Sequence, residues 1–334
     1  MKISRKVLLW VFGISILILG FFLFLDKSKM MSMPIVSNIQ DRIIEKQWSH
    51  SEILHEDQGS IYTLGNDGKL IKFNIGSQKW ESTKSPIIQS ERWGISKEVL
   101  ACFVSHNDML TDKISLFSVP EFNLLNTILV SKDDYYLPML YPSKNGKYVA
   151  VVGMNKMGIF SAEKGEKIFG VEYTKSYTID TVDWSLDSNR ILFSVFDKNI
   201  ESESQAMPFI IVYDLNARTS EKICQGRGPK WNKDEDRIMF RKSEYSYSYG
   251  DIFEFDRKKK NEKLLFQGIR LYDYGWSPSG DNFLVALPQK SFSLYHWPQR
   301  LTVVNYSNPK LKFIALGGLN STGNNNEHFF WVDN

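Results

Sequence analysis

Apolar and polar positions along this chain follow a unit that recurs at intervals of 39 to 48 residues. In each copy an apolar residue is followed by a short polar turn and then by a run of β-forming residues. The clearest copies begin at Trp184, Trp231 and Trp276. Repeats of this length, with about four strand-like runs per unit, are typical of a β-propeller. We therefore predict an all-β chain built as a ring of blades.

The unit around Trp276 gives the template for one blade. Residues 272–276 predict a first strand, and residues 278–281 predict a tight turn in which Gly280 permits a positive φ. Residues 283–287, 301–306 and 311–316 predict the other three strands, because they are rich in β-branched and aromatic residues. The residues that open the successive units are Leu54, Trp93, Tyr141, Trp184, Trp231, Trp276 and Leu319.

The number of blades depends on which strands the N-terminal and C-terminal segments contribute to the ring. The unit at Leu319 has room for only two strands, while two strand-like runs, 34–39 and 42–48, precede the first unit. We expect these runs to complete the last blade by pairing with residues 328–332, which closes seven blades over a domain of residues 34–334. Closure would remove exposed sheet edges. Six blades are the alternative, if residues 34–48 form a linker.

The repeated motif also resembles that of a known family. The Trp-Ser-x-Asp/Ser pattern is similar to the Trp-Ser-Pro-Asp-Gly repeat of TolB-type, WD-like β-propellers, although no copy here has all five residues. The resemblance covers residues 40–334 and is best around Trp184, Trp231 and Trp276. It implies a propeller fold and a structural role for the repeated residues. It implies no catalytic position.

The N-terminus predicts a membrane anchor. Residues 1–6 form a basic flank, residues 7–25 are an uninterrupted apolar run, and residues 26–33 form a linker. Nineteen residues span ~28 Å as a helix, about the thickness of the hydrocarbon core of a bilayer. A cleaved signal or a buried core helix are the alternatives. The positive-inside tendency then predicts a single-pass protein of the cell membrane, with its propeller on the extracytoplasmic side.

Charge and cysteine content narrow the possible functions. Lys2, Arg5 and Lys6 account for three of the 41 basic residues, so the remaining 38 balance the 38 acidic ones. A neutral propeller implies no basic face for nucleic acid. Cys102 and Cys224 fall in strands two blades apart, and we expect free, buried thiols because a disulfide needs Cα atoms within about 7 Å.

Catalytic motifs are absent from the sequence. No Gly-x-Ser-x-Gly elbow, phosphate loop or metal-ligand spacing occurs, so we assign no catalytic, cofactor-binding or metal-binding residue. The acidic residues Asp67, Asp187, Asp234 and Asp281 recur in the turns of several units, which is typical of turn capping. A pair of carboxylates converging in the central channel, as in a glycosidase, stays open as an alternative.

The long loops carry the candidate binding residues. Loops between second and third strands are long in several units and should lie on one face of the ring, opposite the short turns. Exposed aromatic residues are favoured at recognition surfaces. The alternative is that these rings extend strands or fill gaps between blades. The candidate binding residues are Tyr245, Tyr247, Tyr249, Phe292, Tyr295 and Trp297.

Two functions from different classes remain at this point. The first is a membrane-tethered propeller that binds a protein, peptide or glycan on the long-loop face, without catalysis and without a cofactor. The second is a propeller enzyme, similar to a glycosidase or lyase, that acts on an envelope or extracellular polymer. A sensory or assembly subunit whose partner supplies the activity is a third possibility.

Overall fold

The computed structural model describes most of the chain after residue 58. The described residues are 49–50, 59–64, 68–74, 79–88, 92–104, 110–135, 138–153, 156–172, 177–197, 207–242, 249–270, 274–277, 280–288, 299–305, 312–315 and 330–332. Their regular structure consists of β-strands joined by turns. The prediction of an all-β chain is therefore confirmed.

The strands follow one another in repeated groups. The first half of the chain holds β1 (Ser49–His50), β2 (Ser60–Leu64), β3 (Leu70–Asn74), β4 (Lys79–Ser82), β5 (Trp93–Ile95), β6 (Val99–Val104), β7 (Thr111–Ser118), β8 (Leu124–Ser131), β9 (Met139–Pro142), β10 (Tyr148–Val152), β11 (Lys156–Ser161) and β12 (Lys167–Glu172). The second half holds β13 (Tyr177–Trp184), β14 (Arg190–Asp197), β15 (Phe209–Asp214), β16 (Thr219–Gln225), β17 (Arg227–Trp231), β18 (Arg237–Lys242), β19 (Tyr249–Asp256), β20 (Asn261–Arg270), β21 (Tyr274–Trp276), β22 (Asn282–Pro288), β23 (Gln299–Asn305), β24 (Lys312–Ala315) and β25 (Phe330–Val332).

These strands form six sheets, five with four strands and one with five. We number them by their order in the chain: sheet 1 is β25-β2-β3-β4, sheet 2 is β5–β8, sheet 3 is β9–β12, sheet 4 is β13–β16, sheet 5 is β17–β20, and sheet 6 is β21–β24 with β1 at its outer edge. The innermost strand of each sheet is its first, except in sheet 1, where β25 takes that place. Strand β25 contacts both β5 and β21, so the sheets close into the ring of a β-propeller.

The expectation of seven blades is wrong. The incomplete unit at the start of the chain and the incomplete unit at its end belong to one sheet, because Phe330–Val332 pairs with Ser60–Tyr62 in antiparallel register. The prediction of seven blades treated these two units as separate blades, although they form a single sheet. The proposed partner of this final strand, residues 34–48, lies outside the described residues.

A serine hydroxyl closes the turn after the first strand in sheets 3, 4 and 6. The Oγ atoms of Ser143, Ser185 and Ser277 each accept a hydrogen bond from the backbone N–H five residues later, at 3.0, 2.9 and 3.1 Å. The serine backbone N–H in turn donates to the carbonyl of that same residue. These bonds close the turn between first and second strands. Asn232 stands at the equivalent position in sheet 5 and makes the same backbone bond.

The turn-capping interpretation is confirmed at Asp187. Its Oδ1 accepts hydrogen bonds from Ser185 Oγ at 2.6 Å and from the Asn189 N–H at 3.0 Å. Burial alone would raise the pKa of Asp187, but these bonds and the nearby charge of Arg190 lower it below its ordinary value. This carboxylate therefore stabilises its own turn in the ionised form.

A glycine in β5 lets sheets 2 and 3 approach closely. A Cβ atom built on Gly94, in the middle of β5, would collide with the backbone oxygen of Leu140 and lie 2.8 Å from Pro142 Cδ, both in sheet 3. In sheet 6, Gly275 takes the same place in the middle of β21, and a Cβ there would meet no atom of the described residues within 4 Å. The two positions therefore make a matched pair.

We predict that Gly94→Ala lowers the free energy of unfolding by about 3 kcal/mol, because the added methyl group meets backbone that cannot rotate away. Gly275→Ala should leave stability unchanged or raise it by up to about 1 kcal/mol through reduced entropy of the unfolded chain. Urea unfolding followed by circular dichroism measures both. Equal stability of the two variants would contradict the close approach of sheets 2 and 3.

Candidate functional site

A cavity of about 360 Å³ lies at the centre of the ring. It sits where the first strands of sheets 2 to 6 end and their turns to the second strands begin. Its walls combine residues from five sheets: Ile95, Ser96, Lys97, Tyr141, Pro142, Lys144, Asn145, Val182, Asp183, Trp184, Leu186, Lys230, Trp231, Tyr274, Gly275 and Trp276. The cavity is therefore on the side of the short turns. The loops that follow the second strands leave from the opposite end of the ring.

Three tryptophans form the structural part of the cavity wall. Trp184, Trp231 and Trp276 are only 2%, 6% and 8% exposed, as the repeat pattern predicted. The indole Nε1 of Trp184 donates a 2.8 Å hydrogen bond to the carbonyl oxygen of Tyr141 in sheet 3. The ring of Trp231 lies between two guanidinium groups, with Arg190 at 5.5 Å and Arg257 at 5.3 Å from its centroid. These rings join neighbouring blades.

One carboxylate, Asp183, lines the described part of the cavity, and both of its oxygens are engaged. Oδ2 accepts a hydrogen bond from the backbone N–H of Trp231 at 2.8 Å. Oδ1 lies 3.4 Å from the ammonium group of Lys144. The side chain of Asp183 is 13% exposed, whereas that of Lys144 is 47% exposed. Asp183 thus ties sheets 3, 4 and 5 together and holds Lys144 at the cavity.

Three lysines from three sheets share this cavity. Lys97 lies in the turn between β5 and β6, Lys144 in the turn between β9 and β10, and Lys230 in β17 beside the anchor Trp231. With Asp183 they give the lining a formal charge of +2. The sequence interpretation missed these lysines. A signal was present, since Lys97 and Lys144 each directly follow a turn serine, Ser96 and Ser143, and Lys230 directly precedes Trp231.

The long-loop candidates are placed as follows. Tyr249 is the first residue of β19, at the end of the ring opposite the cavity. Tyr245, Tyr247, Phe292, Tyr295 and Trp297 lie outside the described residues. The assignment of a binding surface to this group stays a prediction.

The cysteines lie in the strands that the repeat predicted. Cys102 is buried in β6 and Cys224 is half-buried in β16, so the expectation of full burial is wrong for the second. Neither thiol forms a disulfide. Burial raises the pKa of Cys102 to about 12, and burial together with the charge of Glu262 raises the pKa of Cys224 to about 12. Both thiols are therefore poor nucleophiles at neutral pH.

The described part of the chain contains no group of three His, Cys, Asp or Glu side chains placed to hold a metal ion. Nor do the described ranges include a helix that could cross a bilayer. The apolar run at 7–25 lies outside those ranges, and its role as an anchor stays a prediction.

Comparison with known proteins identifies the fold. No family model and no curated protein matches the sequence. Among solved structures, TolB from Acinetobacter baumannii is similar with a TM-score of 0.55 and 13% identity, over 77% of this chain and 63% of that one. The β-propeller domain of the Trilobed protease from Pyrococcus furiosus is similar with a TM-score of 0.50 and 12% identity, over 77% of this chain and 82% of that one. The chain is therefore a β-propeller with a TolB-like fold.

Proposed function

We propose that this chain is a membrane-anchored, extracytoplasmic β-propeller that binds a protein, peptide or glycan and performs no chemistry of its own. The observation that carries the proposal is the cavity at the centre of the ring. At about 360 Å³ it falls within the range of small-ligand sites, which is roughly 300–1,000 Å³. Its walls come from five blades, so a ligand seated there would contact most of the ring.

The chemistry of the cavity favours binding over hydrolysis. A glycosidase needs two carboxylates about 5–10 Å apart, one to protonate the leaving group and one to act as base or nucleophile. Among the described lining residues Asp183 is the single carboxylate, and Lys144 and the Trp231 N–H already occupy its oxygens. The glycosidase-like enzyme is therefore the weaker of the two hypotheses.

The anchor belongs to the same proposal and rests on the sequence. Residues 7–25 are apolar and long enough to span a bilayer, and Lys2, Arg5 and Lys6 precede them. Cell fractionation tests this part. The full chain should sediment with membranes and resist extraction by salt and alkali. Release of a soluble protein that begins after residue 25 would mean that the segment is a cleaved signal.

Binding and catalysis are separated in one experiment on the full chain in lipid nanodiscs. Peptide and glycan panels are titrated by calorimetry, and the same mixtures are incubated and examined for products by mass spectrometry. We expect saturable binding of at least one panel member and no product. Turnover of any panel member by the purified protein would overturn the non-catalytic assignment.

The double variant Tyr247→Ala/Trp297→Ala assigns the binding face. If aromatic residues of the long loops are the anchors of the interaction, this variant should bind its ligand more weakly by over about 1 kcal/mol, with little change in thermal stability. Unchanged binding by this variant would exclude those two residues and favour the central cavity.

A further inference from the structure

We propose that the central cavity is an anion site, in which Lys97, Lys144 and Lys230 bind the negatively charged oxygens of a small polyanion. This inference rests on the proposed binding function and names the chemical class of its ligand. The charge balance of the sequence does not predict such a site, because the propeller as a whole is neutral. The positive charge appears only when the ring brings residues of sheets 2, 3 and 5 to one cavity.

The positive charge of the cavity is not cancelled by its own lining. Asp183 is the single described carboxylate there, and it pairs with Lys144. Lys230 is half-buried in β17 and has no ion-pair partner among the described residues. The carboxylate of Glu235, on the neighbouring turn, is engaged by the side chain of Arg190 and the backbone N–H of Leu186. The described lining therefore keeps a formal charge of +2.

The surroundings strengthen attraction for an anion. Ile95, Val182, Trp184 and Trp276 form apolar parts of the wall. Charges beside such a wall interact more strongly than charges surrounded by water, and a cleft of one sign concentrates ions of the opposite sign. A volume of about 360 Å³ suits a small polyanion or a short acidic segment better than an extended chain.

An unsatisfied donor gives a second, independent indication. The indole N–H of Trp231, a lining residue, has no hydrogen-bond acceptor among the residues that the structure describes, whereas the equivalent N–H of Trp184 donates to Tyr141. A buried donor without an acceptor costs about 1–3 kcal/mol. An oxygen of the ligand would offset that cost once the side chain adjusts. Carboxylate and phosphate oxygens are acceptors of the required kind.

The lining also distinguishes between classes of ligand. Sugars are commonly held on the exposed face of an aromatic ring, but the three tryptophans of the wall are all less than a tenth exposed. Besides the half-buried side chain of Tyr141, the wall offers a ligand ammonium groups and the exposed side chain of Asn145. This favours an anionic group, carried by a small molecule or by an acidic side chain, over a neutral sugar.

The test uses the full chain in nanodiscs of neutral lipid. Tryptophan fluorescence and calorimetry follow titration with citrate, inorganic phosphate, a tri-glutamate peptide and a tri-glutamine peptide, at low and high salt. We expect an anionic probe to bind at low salt and to bind more weakly at high salt, and the glutamine peptide not to bind. Binding of the glutamate peptide alone identifies an acidic segment as the ligand, and binding of citrate or phosphate identifies a free small anion.

Two double variants with the same change in charge show whether the anion binds at the cavity. Lys144→Gln/Lys230→Gln should weaken binding of the anionic probe by about tenfold or more, because two cationic contacts are lost. Lys113→Gln/Lys164→Gln carries the same charge change on β7 and on the turn after β11, away from the cavity, and should bind as the unmodified protein does. Melting temperatures of both variants check that the fold is intact.

Two outcomes overturn the anion site. One is equal affinity of the two double variants, and the other is failure of every anionic probe to bind. If no anion binds but a panel peptide or glycan still does, only the anion site is lost and the proposed binding function stands. If a panel member is turned over, the proposed non-catalytic function fails. The affinities of the two double lysine variants for the anionic probe still decide whether the anion site exists.

Discussion

Deletion of residues 330–334 should abolish cooperative folding or lower the free energy of unfolding by about 3 kcal/mol or more. The deletion removes β25, whose backbone pairs with Ser60, Ile61 and Tyr62 of β2. Each backbone hydrogen bond contributes about 0.5–1.5 kcal/mol, and loss of packing adds to that sum. Strand β2 is buried, with Ile61 at 0% exposure, so its new edge would face water at the centre of the ring. Typical domains have only about 5–15 kcal/mol of total stability.

Deletion of residues 333–334 alone is the matched control. It removes the chain beyond β25 and leaves the strand in place, so the unfolding midpoint in urea should not change. Circular dichroism gives the midpoint, and size-exclusion chromatography reports association through the exposed edge of β2, which is the expected consequence of an unpaired strand. Identical curves for the two deletions would show that β25 does not hold the ring closed.

The parts of the fold that follow from local sequence were predictable. The anchors Trp184, Trp231 and Trp276 end their first strands and are buried, because the same turn and the same packing recur in each blade. The serine after Trp184 closes its turn with a side-chain hydrogen bond, which accounts for the Trp-Ser pair. The number of blades could not be predicted from any local stretch of the sequence. It depends on which strand pairs with β2, and that partner lies at the other end of the chain.

The cavity could not be predicted in the same way. Lys97 and Lys144 each directly follow a turn serine, Ser96 and Ser143, whereas Lys230 precedes Trp231. The shared position of the first two is visible only when the turn serines are aligned, because their distances from the predicted anchors Trp93 and Tyr141 differ. Each lysine reaches the cavity for a local reason, such as the contact of Lys144 with Asp183. Only the closed ring puts the three together.

Replacement of Trp184 by alanine should lower the free energy of unfolding by about 3–5 kcal/mol, the usual cost of removing a buried aromatic side chain. The indole is 2% exposed and packs among Ala150, Val152 and Met157 of sheet 3 and residues of its own sheet. It also lies stacked against Tyr148, with ring centroids 6.1 Å apart. The substitution therefore leaves a cavity at the contact between two blades. Urea unfolding measured by circular dichroism gives the value.

Two further variants separate the causes of that loss. Trp184→Phe keeps most of the apolar contact but removes the N–H that donates to Tyr141, and we expect a loss of about 1–3 kcal/mol. Trp80→Ala makes the same chemical change on β4, the outer strand of sheet 1, where the side chain is half-buried against Phe73. Its cost should be about 1–2 kcal/mol, since less apolar surface leaves water there. If Trp80→Ala and Trp184→Ala were equally destabilising, the inner row of tryptophans would have no special part in joining the blades. A stable Trp184→Ala protein that had lost only ligand binding would instead assign this residue to the site.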